Sequence, residues 1–148
     1  MANNDSTHTV NELIETLKDG EKGFRTAADD VKDSNVKATF QEFARQRSQM
    51  AAELASHLRG TDAKTSPDSG SISGAAHRGW MNIKSALGGG EKAILDEAER
   101  GEDVAVKAYE DAMTQQLPSD VAQIVKQQYG QVKQAHDRVK ALRDSWKD

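Results

Sequence analysis

The stretch RGTDAKTSPDSGSISGAAHRGWMNIKSALGGG, residues 59–90, decides the architecture of this chain. As far as Gly74 it holds Gly60, Pro67 and Gly70 among Ser, Thr and Asp. That is the composition of a loop, because Gly and Pro punctuate helices and short polar side chains compete for backbone hydrogen bonds. From Ile72 to Leu87 the apolar residues Ile72, Ala76, Trp80, Ile83 and Leu87 recur at steps of three or four, a helical period. Gly88-Gly89-Gly90 stops it. The stretch therefore reads as a connection with one amphipathic helix inside it.

Upstream, Val10, Leu13, Leu17, Phe24, Ala27, Ala28 and Val31 share one face and predict a helix over about 8–32. Thr9 and Glu12 fit a capping box at its start, and residues 1–7 are expected to fray. Asp33-Ser34-Asn35 breaks the pattern and supplies cap residues for a second helix, about 35–59, with the stripe Val36, Phe40, Phe43, Met50, Ala51, Leu54 and Leu58. So short a turn makes the two an antiparallel hairpin. Downstream, Leu95, Ala98, Ala105, Ala108, Tyr109 and Met113 predict a third helix over about 91–114, ended by Leu117-Pro118. Ser119 is the expected cap of a fourth, about 120–146, whose stripe is Val121, Ile124, Val125, Val132, Ala135, Val139, Leu142 and Trp146.

Each main helix of roughly 24 residues is about 36 Å long. A connection of some thirty residues is wasteful between adjacent antiparallel helices but suits a return along the full bundle. The third helix is then parallel to the second. Two hairpins joined by one long crossover is the connectivity of ferritin-like four-helix bundles. The expectation is one all-α domain over 1–148.

Composition agrees. The chain has 148 residues, 30% of them charged, with only three Phe, two Tyr, two Trp and two Pro; the mean hydropathy is −0.78. With no cysteine, disulfides, thiolate zinc sites, iron–sulfur clusters and a cysteine nucleophile are excluded. Twenty basic residues against 24 acidic ones give a net charge of −4, which offers no general attraction to nucleic acid or anionic lipid. No leader pattern or apolar run of membrane length is visible, and a cytoplasmic location is expected. Neither a Gly-x-Ser-x-Gly elbow nor a dinucleotide fingerprint occurs, and Gly88-Gly89-Gly90 lacks the Lys-Ser/Thr of a phosphate loop.

The hairpins repeat at an offset of 81: Leu13-Ile14-Glu15 against Ile94-Leu95-Asp96, Gly20-Glu21 against Gly101-Glu102, Ala27 against Ala108. The second and fourth helices align only at a chosen offset of 85. The spacing turns Glu21 and Glu102 inward, and buried carboxylates need partners. Arg47 with Gln46 beside it, and Gln128, Gln131 and His136, are the candidates. A polar layer of Glu21, Arg47, Glu102, Gln128 and His136 follows.

It has two readings. Dinuclear carboxylate bundles use a Glu from each of two helices and Glu-x-x-His from each of the others; no Glu-x-x-His occurs here, and Lys133 stands three before His136. A single iron or manganese ion on Glu21, Glu102 and His136 is the reduced form of that site. The preferred reading is metal-free, with no cofactor: Arg47 stands where a cation would stand and neutralises one or both carboxylates by bidentate hydrogen bonds. The glycines before each Glu would let another helix approach closely.

Elsewhere the plainer readings are preferred. Trp80, beside His77 and Arg78, covers the bundle; His57, four after Glu53, sits at a helix end; Lys126, Lys133, Arg138, Lys140 and Arg143 make a solvated face.

The stretches Leu13–Gly20, His77-Arg78-Gly79-Trp80-Met81, Ala93–Glu97, Glu99-Arg100-Gly101-Glu102-Asp103 and Ala135–Val139 resemble a bacterial ferritin-like four-helix-bundle family of unknown function. The resemblance implies that fold and a bacterial source, and no reaction. Members often carry Glu at the position of Gln46 and sometimes His at that of Met50, departures that weaken an inherited metal site. The expectation is a non-catalytic bundle, structural, associative or stress-related, with a homodimer as the expected association. The alternative is an iron or manganese redox or storage bundle.

Overall fold

A computed structural model describes residues 2–57, 80 and 90–146, with side chains from Ser6 onward. Among these residues the protein is all-helical: α1 (Ala2–Asp30), α2 (Ser34–Ser56), α3 (Glu91–Met113) and α4 (Ser119–Ser145). The expected crossover helix lies outside the described residues, apart from Trp80.

Helix boundaries follow local chemistry. The extended backbone at Asp33 ends the first hairpin arm, and its carboxylate accepts from the Val36 N–H at 3.0 Å as the cap of α2. Gly90 precedes α3 at φ +92°, a conformation that favours glycine. Two expectations are corrected. α1 starts at Ala2, so residues 2–7 are helical rather than frayed, and Thr9 lies inside the helix instead of capping it. The cause is tertiary: Ser6 is buried, and its Oγ donates to the Gln116 carbonyl at 3.1 Å, beyond the end of α3. At α4 the cap position is Pro118, and Ser119 is the first helical residue, which suits a proline with no N–H to leave unsatisfied.

Two long-range contacts set the direction of each helix. The Glu91 carboxylate accepts from the backbone N–H groups of Lys32 and Asp33, placing the start of α3 at the α1–α2 turn. The Ser6–Gln116 bond places the far end of α3 beside the start of α1. So α1 and α3 are antiparallel, α2 and α3 run in the same direction, and residues 58–89 connect opposite ends of the bundle. α1 packs against α2 and α3, and α4 packs against α3 and, least extensively, α2. No described helix is long and apolar enough to cross a membrane.

The core falls into two apolar clusters. One gathers Leu13, Leu17, Met50, Leu54, Tyr109, Val125 and Val132; the other gathers Phe24, Phe40, Trp80, Ile94, Leu95 and Val139. The expected stripes are largely buried, with one correction: Met113 is 40% exposed, and Ala112 takes the inward position. A step of one residue turns a helical side chain by about 100°.

Candidate functional site

Between the two clusters α2 turns Arg47 inward and α3 turns Glu102 toward it. Arg47 Nη1 donates to Glu102 Oε1 at 2.7 Å and Nη2 to Oε2 at 2.5 Å, and both side chains are 0% exposed. The guanidinium carbon lies 5.4 Å from the centre of the Phe24 ring, a cation–π distance. From α1 it meets Gly20, where an added Cβ would stand 3.2 Å from Nη1. The missing side chain makes the room that the planar fork occupies.

A second polar link joins three helices nearby. Tyr109 Oη donates to Gln128 Oε1 at 2.7 Å, and Gln128 Nε2 donates to the Met50 carbonyl at 3.2 Å and to Glu53 Oε1 at 2.9 Å. Burial pushes the Tyr109 hydroxyl well above its usual range, against the pull of Arg47 and with a smaller push from Glu53.

The other sequence-chosen residues lie elsewhere. Glu21 pairs at 2.8 Å with Arg25 on its own helix, its side chain 21% exposed. The inward position on α1 belongs to Gly20, because the spacing between Leu17 and Phe24 accommodates either residue. Glu21, Glu102 and His136 therefore do not converge, and the described residues do not fit the interior dinuclear site: both oxygens of Glu102 are held by Arg47. Gln46 and Gln131 line a cleft of about 480 Å³ between α2 and α4, with Phe43 and Ala135.

His136 faces α3 instead of the axis. Its Nε2 lies 2.5 Å from Asp103 Oδ1 and 3.6 Å from Glu99 Oε2, while Nδ1 lies 3.0 Å from Asp137 Oδ1. Partial burial pulls the imidazole pKa down, but hydrogen bonds to Asp137 and Asp103 and the charges of Asp103 and Glu99 outweigh it, and the net direction is upward. Sequence reasoning missed Glu99 and Asp103. Their signal was an i,i+4 carboxylate pair on the helix that forms a hairpin with the one carrying His136.

Trp80 is 7% exposed and packs edge-on to Phe24 with ring centres 4.9 Å apart. Cβ atoms added at Gly23 and Gly101 would lie 2.2 and 2.3 Å from its ring. Two glycines on antiparallel helices thus form the notch that seats the indole.

Residues 5–115 match the family described as Domain of unknown function (DUF2383). The chain belongs to that family. The DUF2383 match takes in α1, α2 and α3, hence Arg47, Glu102, Glu99 and Asp103, and ends before the α4 residues Gln128 and His136. No curated protein matches the chain.

Proposed function

We propose that this protein is a bacterial, ferritin-like helical bundle with a non-catalytic, structural or associative role, its interior closed by an ion pair in place of a metal centre. The observation that carries the reading is the bidentate Arg47–Glu102 pair at full burial. A guanidinium between the helices supplies the positive charge that an interior ion would supply, and it uses both oxygens of the fully buried Glu102. The parallel course of α2 and α3 across a long connection supports the ferritin-like connectivity. An iron or manganese centre on Glu21, Glu102 and His136 finds no support in side chains that point to three different partners.

The test is elemental mass spectrometry on untagged protein offered ferrous iron and manganese, for wild type and Glu102→Ala. Iron or manganese at one or two ions per chain in wild type, lost in Glu102→Ala, overturns the reading. Neither metal at stoichiometric level, or a content indifferent to the substitution, supports it.

A further inference from the structure

Glu99 and Asp103 lie one turn apart on α3, and each brings a carboxylate oxygen to the same imidazole nitrogen of α4, His136 Nε2. These three ligand atoms lie within 4.8 Å of one another, the only such group of three or more His and carboxylate residues among the described residues. The opposite edge of the ring is held by Asp137, 3.0 Å from Nδ1. Asp137 keeps a proton at Nδ1, so an ion that displaces the Nε2 proton now hydrogen-bonded to Asp103 meets a lone pair aimed at Glu99 and Asp103. This is how a carboxylate orients a metal-binding histidine from behind. Glu99 is held in turn by Arg143, whose Nη1 donates to Oε1 at 2.7 Å and leaves Oε2 facing the ring.

We infer that Glu99, Asp103 and His136 form a binding site for a single divalent transition-metal ion of the zinc type, with water completing its coordination. One imidazole nitrogen and two carboxylate oxygens suit zinc, and three protein ligands plus water is a zinc coordination pattern. The spacing is near what the ion needs. Tetrahedral ligands about 2.1 Å from zinc stand about 3.4 Å apart, and the Glu99 oxygen is already 3.6 Å from Nε2.

Asp103 must retreat by about 1 Å from its 2.5 Å hydrogen bond, and its side chain is 58% exposed and able to change rotamer. The same exposure opens a path for the ion from solvent. Charge favours a dication: once the Nε2 proton is displaced, Glu99, Asp103 and Asp137 set three negative charges around the ring against the two positive charges of Arg143, 2.7 Å from Glu99, and Lys133, 3.3 Å from Asp137. The site is separate from the interior ion pair, since Glu102 turns into the core while its neighbour Asp103 turns to the groove.

Isothermal titration of zinc chloride into the full, untagged chain at pH 7.5 tests this, with circular dichroism melts to confirm that each variant folds. One ion per chain is expected, with a Kd raised about tenfold or more in His136→Ala and in Asp103→Asn. His8→Ala and His57→Ala, which remove the histidines four residues from Glu12 and from Glu53, should each leave the titration unchanged. If His136→Ala does not fold, Asp103→Asn and Glu99→Gln decide. Absence of one-to-one binding in wild type, binding that survives the substitutions at Glu99, Asp103 and His136 unchanged, or binding lost only in His8→Ala or His57→Ala overturns the assignment.

Discussion

Arg47 and Glu102, 55 positions apart in the chain, meet through two parallel hydrogen bonds with no solvent at either side chain. A buried pair of this kind adds little net stability over apolar residues of the same volume, because desolvation of both ions offsets their attraction. Breaking it on one side is another matter. Arg47→Met should cost about 3–5 kcal/mol, whereas Arg47→Met with Glu102→Met should recover most of the loss. Urea denaturation measures both, and a cost for the single change under about 0.5 kcal/mol would falsify the ion-pair account.

The two glutamates that the repeat equates should behave unequally. Glu21→Gln removes only a partly exposed i,i+4 pair with Arg25 and should change stability by less than about 0.5 kcal/mol. Glu102→Gln leaves a buried guanidinium without its counter-ion and should cost about 3–5 kcal/mol. Equal midpoints for the two variants would show that both carboxylates are solvated.

The glycine notch makes a prediction about sign. Gly→Ala in an exposed helix interior stabilises by about 0.5–1 kcal/mol, and Gly130, with nothing within 4 Å of an added Cβ, should follow that rule. Gly101→Ala should instead destabilise by about 1–3 kcal/mol, since the new methyl overlaps the Trp80 ring. In a Trp80→Ala background the same change should turn stabilising. Thermal melts of the four variants report the reversal.

Tyr109 implies an alkaline limit. Its folded pKa is raised by burial, so below the ordinary tyrosine value of about 10 both states hold the proton and its contribution is intact. Above that value the unfolded chain releases the proton while the folded one keeps it. Stability then falls with pH by about 1.4 kcal/mol per unit. Unfolding free energies at pH 9 and 11 should differ more in wild type than in Tyr109→Phe; an identical difference would remove Tyr109 as the cause.

Much of the fold was legible because it is written in one period. The stripes from Val10 to Val31 and from Val121 to Val139 need only 3.6-residue spacing, and the thirty-residue connection sets the direction of α3. What was not legible depends on contacts between distant residues. The start of α1 rests on Ser6 meeting Gln116, which no local pattern announces. At the centre, spacing identified Arg47 and Glu102 correctly as inward, but it could not separate Gly20 from Glu21, since either can follow Leu17 on the same face. His136 was placed near the axis because it adjoins Ala135; a rotation of one residue sends it to Glu99 and Asp103 instead.

The seating of Trp80 on one flank has a mechanical consequence. The indole binds α1 to α3 like the spine of a book, whereas α2 and α4 across the bundle face a cleft and touch least. Thermal breathing should therefore be anisotropic, the covers parting between α2 and α4 while the spine stays shut. Amide protons of α2 and α4 along that edge should exchange with deuterium before those of α1 and α3 beside the indole.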